Sequence, residues 1–198
     1  MDLFASSKIL TPIPVQDGEL SFLAQLDLPF SNAEVLARLV ADTPWRSELI
    51  TLWGKQYPQP RLTAWHGEKA YSYSGLKLEP LAFTPLQMAI KDAVEAACGR
   101  RFNSVLLNYY RDGRDSMGMH SDNEPELGPE PAIASVSFGA TRTFILQHKR
   151  SKQRLKLALS DGSLLLMAGS LQENWLHGIN RIAGDVSSRV NLTFRFIH

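Results

Sequence analysis

The sequence has one cysteine, no long apolar run, no internal repeats and almost no net charge. Because Cys98 is the single cysteine among 198 residues, the chain cannot form an internal disulfide, which fits a reducing compartment. No apolar stretch approaches the roughly 20 residues that a membrane-spanning helix needs, and the N-terminus lacks the apolar segment of a secretion signal. We therefore expect a cytoplasmic protein, or a nuclear one if the source is eukaryotic, with no membrane partner. The formal net charge of +1 neither favours nor excludes nucleic acid as a partner.

Length and composition indicate one globular domain. A hydrophobic fraction of 44% and a charged fraction of 21% are ordinary for such a domain. A chain of 198 residues can also bury most of its apolar surface in one core. We predict a single domain over residues 1–198, acting as a monomer. Cys98 lies in an apolar helical stretch and is expected to be an inert core thiol rather than a reactive one.

Two predicted helices precede a region of short strands. Ser31 and Glu34 form a capping box before an apolar pattern of helical spacing, which predicts a helix over about 32–42. Pro85 and Gly99 bound a second helix, whose predicted apolar face consists of Leu86, Met88, Ile90, Val94 and Ala97. After about residue 103 the β-forming segments are Val105–Tyr110, Ile133–Phe138, Thr143–Gln147, Leu155–Leu159, Leu164–Met167 and Arg189–Phe196. This order predicts an α+β protein with a β-sandwich or jelly-roll core.

A histidine and a carboxylate two residues apart form the first half of a candidate metal site. On an extended chain His120 and Asp122 point to the same face, so both can reach one ion. A second histidine, His177, follows the strand Leu164–Met167. Two histidines and one carboxylate form the facial triad of non-haem iron oxygenases, which leaves open coordination positions. Taken alone, this motif is also explained by a surface His-x-Asp and an unrelated core histidine.

The last predicted strand has a polar face that suits a dicarboxylate. Its apolar and polar residues alternate, with Val190, Leu192, Phe194 and Phe196 on one face and Arg189, Asn191, Thr193 and Arg195 on the other. Arginine binds carboxylates through a bidentate fork. Asn108 and Tyr110 share one face of an earlier strand, and both can donate hydrogen bonds to the same acid. A solvated edge strand, a capped strand end and a half-buried aromatic explain the same residues without a ligand.

The order of these motifs resembles that of the AlkB family of Fe(II)/2-oxoglutarate dioxygenases. It reads Asn108-Tyr109-Tyr110, His120-Ser121-Asp122, His177 and Arg189-Val190-Asn191-Leu192-Thr193-Phe194-Arg195. The resemblance runs from about residue 45 to the end of the sequence and is closest to the nucleic-acid repair branch. It implies a double-stranded β-helix (jelly-roll) core over about 103–198 with flanking helices. It also implies an N-terminal nucleotide-recognition lid and its supporting helix over about 45–100.

The same resemblance implies two cofactors and their ligands. Fe(II) would be held by His120, Asp122 and His177. The co-substrate 2-oxoglutarate would be bound at its two carboxylates by Arg189 (distal) and Arg195 (near the metal), with help from Asn108, Tyr110 and Asn191. O₂ and 2-oxoglutarate would give succinate and CO₂ while an N-alkyl carbon on a base is hydroxylated. The adduct would then release an aldehyde and restore the base.

Substrate contacts are implied upstream of the triad and just after it. Tyr73 is the expected stacking partner of a flipped base, and Tyr71 lies in the same lid segment. Glu124 matches a position that reads the base edge. Trp53 resembles the tip of a hairpin finger that fills the gap left by the flipped base. Phosphate contacts are predicted for Arg61, Lys55 and the basic run His148–Lys156.

Three functions remain open at this stage. The first is oxidative dealkylation of bases such as 1-methyladenine or 3-methylcytosine in alkylated DNA or RNA. The second is the same oxygenase chemistry on a protein, lipid or small molecule, and the third is a nucleic-acid-binding module without active metal. The intact triad and paired arginines disfavour the third. The lid tyrosines, Glu124 and the basic run favour the first over the second. Arg181 is a lone arginine where the duplex-acting relative has a basic cluster, so the strand preference stays open.

Overall fold

The computed structural model describes residues 9–47, 49–52, 55–69, 71–73 and 76–198. Within them lie three α-helices: α1 (Asn32–Asp42), α2 (Pro85–Cys98) and α3 (Leu171–Asn174). The strands are β1 (Thr11–Pro12), β2 (Glu19–Leu23), β3 (Leu49–Leu52), β4 (Lys55–Pro58), β5 (Leu62–Gly67), β6 (Tyr71–Tyr73), β7 (Leu76–Leu78), β8 (Ser104–Tyr110), β9 (Met117–His120), β10 (Ile133–Gly139), β11 (Arg142–His148), β12 (Arg154–Leu159), β13 (Leu164–Ala168), β14 (Trp175–Ile179) and β15 (Arg189–Arg195).

Most strands belong to two antiparallel sheets that pack against each other. The larger sheet has the order β1-β2-β13-β10-β15-β8-β5, and the smaller one has the order β12-β11-β14-β9. One apolar cluster joins the two sheets, because it contains Phe22 and Met167 from the larger and Phe144 and Trp175 from the smaller. The opposite face of the larger sheet packs against α1 and α2 in a second cluster. This two-sheet sandwich confirms the predicted α+β jelly-roll class.

Both predicted helices are present, and their caps explain their limits. The hydroxyl of Ser31 accepts the backbone N–H of Glu34 at the start of α1. Thr84 and Gln87 form a reciprocal capping box at the start of α2. The apolar face of α2 was partly misassigned, because Met88 is 38% exposed while Gln87 is buried. Its cap role turns the Gln87 side chain back toward the helix start.

The last strand is central rather than at an edge. β15 pairs with β10 on one side and with β8 on the other, and all seven of its residues are buried. Its apolar residues face the helices, as their membership of that cluster shows, and its polar residues line a cavity between the sheets. The explanation by a solvated edge strand is therefore wrong. Phe196 lies beyond the strand and is 42% exposed, so its predicted place on the apolar face is also wrong.

The strands before residue 103 that join the larger sheet were not predicted: β1 pairs with β2, β2 pairs with β13, and β5 pairs with β8. β3–β4 and β6–β7 form two separate hairpins, and β3–β4 lies where the hairpin finger was predicted. The division into a lid over about 45–100 and a core over about 103–198 stays a prediction. Cys98 is half-buried, and burial raises the pKa of its thiol to about 11, which agrees with an inert role. None of the helices in the described ranges is long and apolar enough to cross a membrane.

Candidate metal centre

The three predicted metal ligands lie together at one end of the smaller sheet. β9 and β14 pair so that His120 stands directly opposite His177, and the two ring centroids are 4.3 Å apart. Asp122 follows two residues after β9 ends and brings its Oδ1 to 3.6 Å from His120 Nε2. One ligand atom from each of the three residues lies within 4.8 Å of the others. The triad predicted from spacing is therefore assembled in three dimensions.

Hydrogen bonding prepares these side chains for a cation. His120 Nδ1 lies 2.9 Å from the carbonyl oxygen of Gly118. A carbonyl can only accept, so Nδ1 carries the hydrogen and Nε2 is the acceptor nitrogen. Asp122 Oδ1 is buried and has no hydrogen-bond partner among the residues described. An acceptor left in this state costs free energy, and a divalent cation would satisfy it.

The protonation states also suit metal binding. Burial would raise the pKa of Asp122, but the positive charge of Arg195 opposes this effect and holds that pKa below its usual range. Arg195 Nη2 donates to Asp122 Oδ2 at 2.7 Å. Burial, aided by the neighbouring His120, lowers the pKa of His177 to about 3. An ionised carboxylate and a neutral imidazole are the forms that bind metal, so the residues fit Fe(II).

A narrow cavity of about 30 Å³ lies beside the triad, which is room for only a water molecule or two. The apolar part of its wall includes Met117, Phe144, Leu159, Met167 and Ile179. The polar part consists of Asn108, Tyr110, Ser135, Arg189, Asn191, Thr193 and Arg195. All five residues predicted to bind 2-oxoglutarate thus line the same cavity as the metal ligands.

Arg189 is a buried cation whose hydrogen-bond donors are only partly paired. Its Nη2 donates to Ser137 Oγ at 2.9 Å, and its guanidinium lies 5.0 Å from the ring centroid of Tyr110. Its Nε and Nη1 are buried, with no hydrogen-bond partner in the described part of the chain. Burial lowers the pKa of Arg189 to about 10. A carboxylate of 2-oxoglutarate would supply both the charge and the acceptors that the guanidinium lacks.

Arg195 has a different environment, since its carboxylate partner is Asp122 of the candidate metal site. It therefore contacts that site as well as the cavity wall. Asn191 is also more constrained than expected. Its Nδ2 donates to Ser135 Oγ at 2.8 Å and to Val136 O at 2.9 Å, so both amide hydrogens are used within the protein. Contact between Asn191 and a ligand would require one of these bonds to be exchanged.

Sequence reasoning overlooked the serines of β10. Ser135 pairs with Thr193 and Ser137 with Asn191 in the sheet register. The signal was present, because the two serines alternate with apolar residues along Ile133–Gly139 and so mark a polar face. They extend the polar face of β15 onto the neighbouring strand.

The structure does not place Arg61 where a phosphate contact was predicted. Arg61 is only 5% exposed, and its Nε donates to Asn108 Oδ1 at 2.7 Å. A buried guanidinium cannot reach a nucleic-acid backbone without leaving this partner. The bond instead uses the amide oxygen of Asn108 and leaves the amide nitrogen as a donor for the cavity that Asn108 lines.

The remaining substrate residues are described to different extents. Glu124 is half-buried, and its Oε2 is a buried acceptor without a hydrogen-bond partner among the described residues. Tyr71 and Tyr73 lie in β6, which pairs with β7, but their side chains fall outside what the structure describes. Trp53 lies outside the described residues, between the paired strands β3 and β4.

The basic run His148–Lys156 divides into buried and exposed parts. His148 is buried against Asp17, and Lys149 Nζ donates to protein oxygens. Neither is placed to meet a phosphate. Four basic residues of the run are exposed, namely Arg150, Lys152, Arg154 and Lys156.

Residues 22–195 match the family model described as the 2OG-Fe(II) oxygenase superfamily. The chain is 42% identical over 174 residues to alpha-ketoglutarate-dependent dioxygenase alkB homolog 3 of Rattus norvegicus, which covers 83% of this chain and 59% of the relative. It is 40% identical over 158 residues to DNA oxidative demethylase ALKBH2 of Homo sapiens, covering 75% and 60% respectively. The chain thus spans about three-fifths of the length of these curated relatives. The solved structure of OsALKBH1 matches 93% of this chain and 99% of its own with a TM-score of 0.65, and at 17% identity this likeness shows the fold alone.

Proposed function

The chain belongs to the AlkB family of the 2OG-Fe(II) oxygenase superfamily, and from this premise we propose that it oxidatively dealkylates N-alkylated bases in DNA or RNA. The observation that carries the proposal is the His120, Asp122 and His177 triad beside a cavity lined by Arg189, whose buried Nε and Nη1 have no hydrogen-bond partner among the described residues. The names of the similar proteins support a DNA substrate over a protein, lipid or small molecule.

Each group in the cavity has a task in this reaction. When bound, Fe(II) and 2-oxoglutarate supply the oxidation of an N-alkyl C–H bond by O₂, with release of succinate, CO₂ and an aldehyde. His120, Asp122 and His177 would hold the metal, and Arg195 keeps Asp122 ionised. Arg189 would neutralise the distal carboxylate of 2-oxoglutarate. The apolar wall would limit access of water to the reacting groups.

The substrate base would enter from the side of Glu124 and the β6–β7 hairpin. The buried Oε2 of Glu124 can accept a hydrogen bond from a base edge, and its negative charge favours a cationic alkylated base. Tyr71 and Tyr73 would flank the flipped base. The exposed cations Arg150, Lys152, Arg154 and Lys156 would contact phosphates of the nucleic acid.

The direct test supplies Fe(II), 2-oxoglutarate and single-stranded oligonucleotides that carry one alkylated base each. We expect restored base, with at least one succinate formed for each base that is repaired. Replacing Tyr73 with alanine should lower base repair about 10-fold or more, because stacking on an aromatic side chain contributes ~1–3 kcal/mol per base. Decarboxylation of 2-oxoglutarate without substrate should change much less. Equal loss of both activities would give Tyr73 a structural role, and no repair of any lesion by the wild type would overturn the proposed function.

Trp53 tests whether the enzyme opens a duplex. If its ring fills the gap left by a flipped base, Trp53→Ala should reduce repair in duplex DNA much more than repair in a single strand, where no stack must be opened. The matched control is Trp45→Ala. Trp45 packs on Tyr109 at 5.2 Å and donates to Val40 O, so its loss should lower the melting temperature and both activities alike. Equal losses on both substrates in Trp53→Ala would contradict the finger assignment.

A further inference from the structure

Asp122 lies in a loop, outside any helix or strand. β9 ends at His120, and the next regular element is a short 3-10 helix over Pro125–Leu127. A metal ligand needs a fixed position, because small displacements weaken coordination and partners outside the ligand set usually orient it. Arg195 fixes the side chain of Asp122 by a hydrogen bond, and a separate set of residues fixes its backbone.

The backbone N–H of Asp122 is bound by a buried glutamine. Gln172 Oε1 accepts it at 3.0 Å, and Gln172 lies in α3 with 1% of its surface exposed. Lys149 completes the arrangement from a third element, the turn after β11. Its Nζ donates to Ser121 Oγ at 3.1 Å and to the backbone oxygen of Gln172 at 3.0 Å. One ammonium group thus joins the residue before the metal ligand to the residue that holds the ligand's amide.

We propose that Lys149 is a positioning residue for the metal ligand Asp122 and that it acts through Ser121 and Gln172. This inference rests on the proposed function only in treating the triad as a metal site.

The base of the turn is itself rigid enough for this role. Lys149 N donates to Asn174 O at 2.7 Å. The buried His148 Nδ1 accepts the backbone N–H groups of Arg150 and Ser151 at 3.2 and 3.0 Å, while its Nε2 lies 3.1 Å from Asp17 Oδ2. The Lys149 backbone is therefore held from both sides. Its side chain is left with a defined direction toward the Ser121 loop.

Packing alone does not explain a lysine at this position. Burial lowers the pKa of Lys149 because it disfavours the charged form. The two groups that accept hydrogen bonds from the ammonium are a neutral hydroxyl and a neutral carbonyl. A side chain of similar length without charge would avoid the desolvation cost. Only the lysine has hydrogen-bond donors, and they reach Ser121 and Gln172 at the same time.

The test measures metal affinity rather than turnover. Co(II) is titrated into the metal-free protein without 2-oxoglutarate or nucleic acid, and its visible absorption reports binding and geometry. Lys149→Met should weaken Co(II) binding about 10- to 100-fold, the usual effect of removing a partner that orients a ligand. Lys69→Met is the matched control, because Lys69 is exposed just after β5, which belongs to the other sheet, and it should bind Co(II) like the wild type.

Ser121→Ala keeps the inference testable if Lys149→Met folds poorly, because it removes only the hydroxyl that Lys149 holds. It should weaken Co(II) binding several-fold, and adding it to Lys149→Met should cause little further loss, since both changes break one arrangement. Lys149→Arg should recover part of the affinity. Co(II) binding at wild-type strength in both Lys149→Met and Ser121→Ala would overturn the inference. If the wild-type protein binds Co(II) but repairs no alkylated base, the proposed function is wrong and this inference is unaffected.

Discussion

Replacing His177 with alanine is expected to abolish succinate formation while leaving the fold close to wild-type stability. The loss follows because one of three metal ligands is removed from a site that offers a single ligand atom from each. The fold survives because His177 is buried in its neutral form and lines an existing cavity, so its removal leaves no charge without a partner. Succinate yield with Fe(II) and 2-oxoglutarate measures the first effect, and thermal unfolding measures the second.

The matched contrast is Asp122→Ala. It removes the same number of metal ligands but also takes the carboxylate away from buried Arg195. Breaking a buried ion pair from one side costs ~3–5 kcal/mol. In a domain of this size that lowers the melting temperature by on the order of 10 °C. If one of these variants forms succinate at nearly the wild-type level, the residue replaced in it is not a metal ligand. Equal stability of the two variants would mean that the Arg195 pair contributes little.

The pH dependence of the metal-free protein should separate the variants further. The pKa of His177 is about 3 in the folded chain and ordinarily 6.5. A group whose folded pKa is depressed contributes stability above its unfolded pKa and loses it as the pH falls. Wild-type stability should therefore decline from about pH 6.5 downward. His177→Ala should decline less steeply over the same range, which thermal unfolding in the presence of a chelator would show.

Residues whose roles follow from local pattern were predictable from the sequence. The triad was predicted from an extended His-x-Asp and a later histidine together with the resemblance to the AlkB family, and the limits of both helices were predicted from their capping residues. Arg61 was not predictable in this way. Its burial depends on Asn108, which lies 47 positions later and meets it only through the pairing of β5 with β8. From the sequence alone, a lone arginine after two prolines looks like an exposed loop cation.

The same limit explains the strands that were missed. β1 has two residues and β2 five, which is too short for a period-2 pattern to stand out. β2 joins the larger sheet by pairing with β13, and β1 pairs with β2 at the edge of that sheet. The centrality of β15 was hidden for a related reason. Alternation shows which residues share a face, but an edge strand in water and a central strand beside a polar cavity present the same alternation. The pairing with both β8 and β10 decides between them.

Arg189→Met should raise the Michaelis constant for 2-oxoglutarate by roughly 100-fold or more, because the co-substrate loses a buried, bidentate cationic partner worth ~3–5 kcal/mol. Most substitutions of buried residues lower the melting temperature, but we expect this one not to lower it. Without co-substrate, the Nε and Nη1 of Arg189 are buried without partners in the described part of the chain. An apolar side chain of similar length should therefore keep or raise the melting temperature of the metal-free protein.

Arg195→Met is the control for the expected change in melting temperature. It also removes a cation from the cavity wall, but it leaves the Asp122 carboxylate buried without its 2.7 Å partner. Its melting temperature should fall, whereas that of Arg189→Met should not. Added 2-oxoglutarate should stabilise the wild type by mass action and leave Arg189→Met unchanged. If Arg189→Met is instead destabilised as much as Arg195→Met and still responds to 2-oxoglutarate, then Arg189 is a structural cation. The distal carboxylate must in that case bind elsewhere in the cavity.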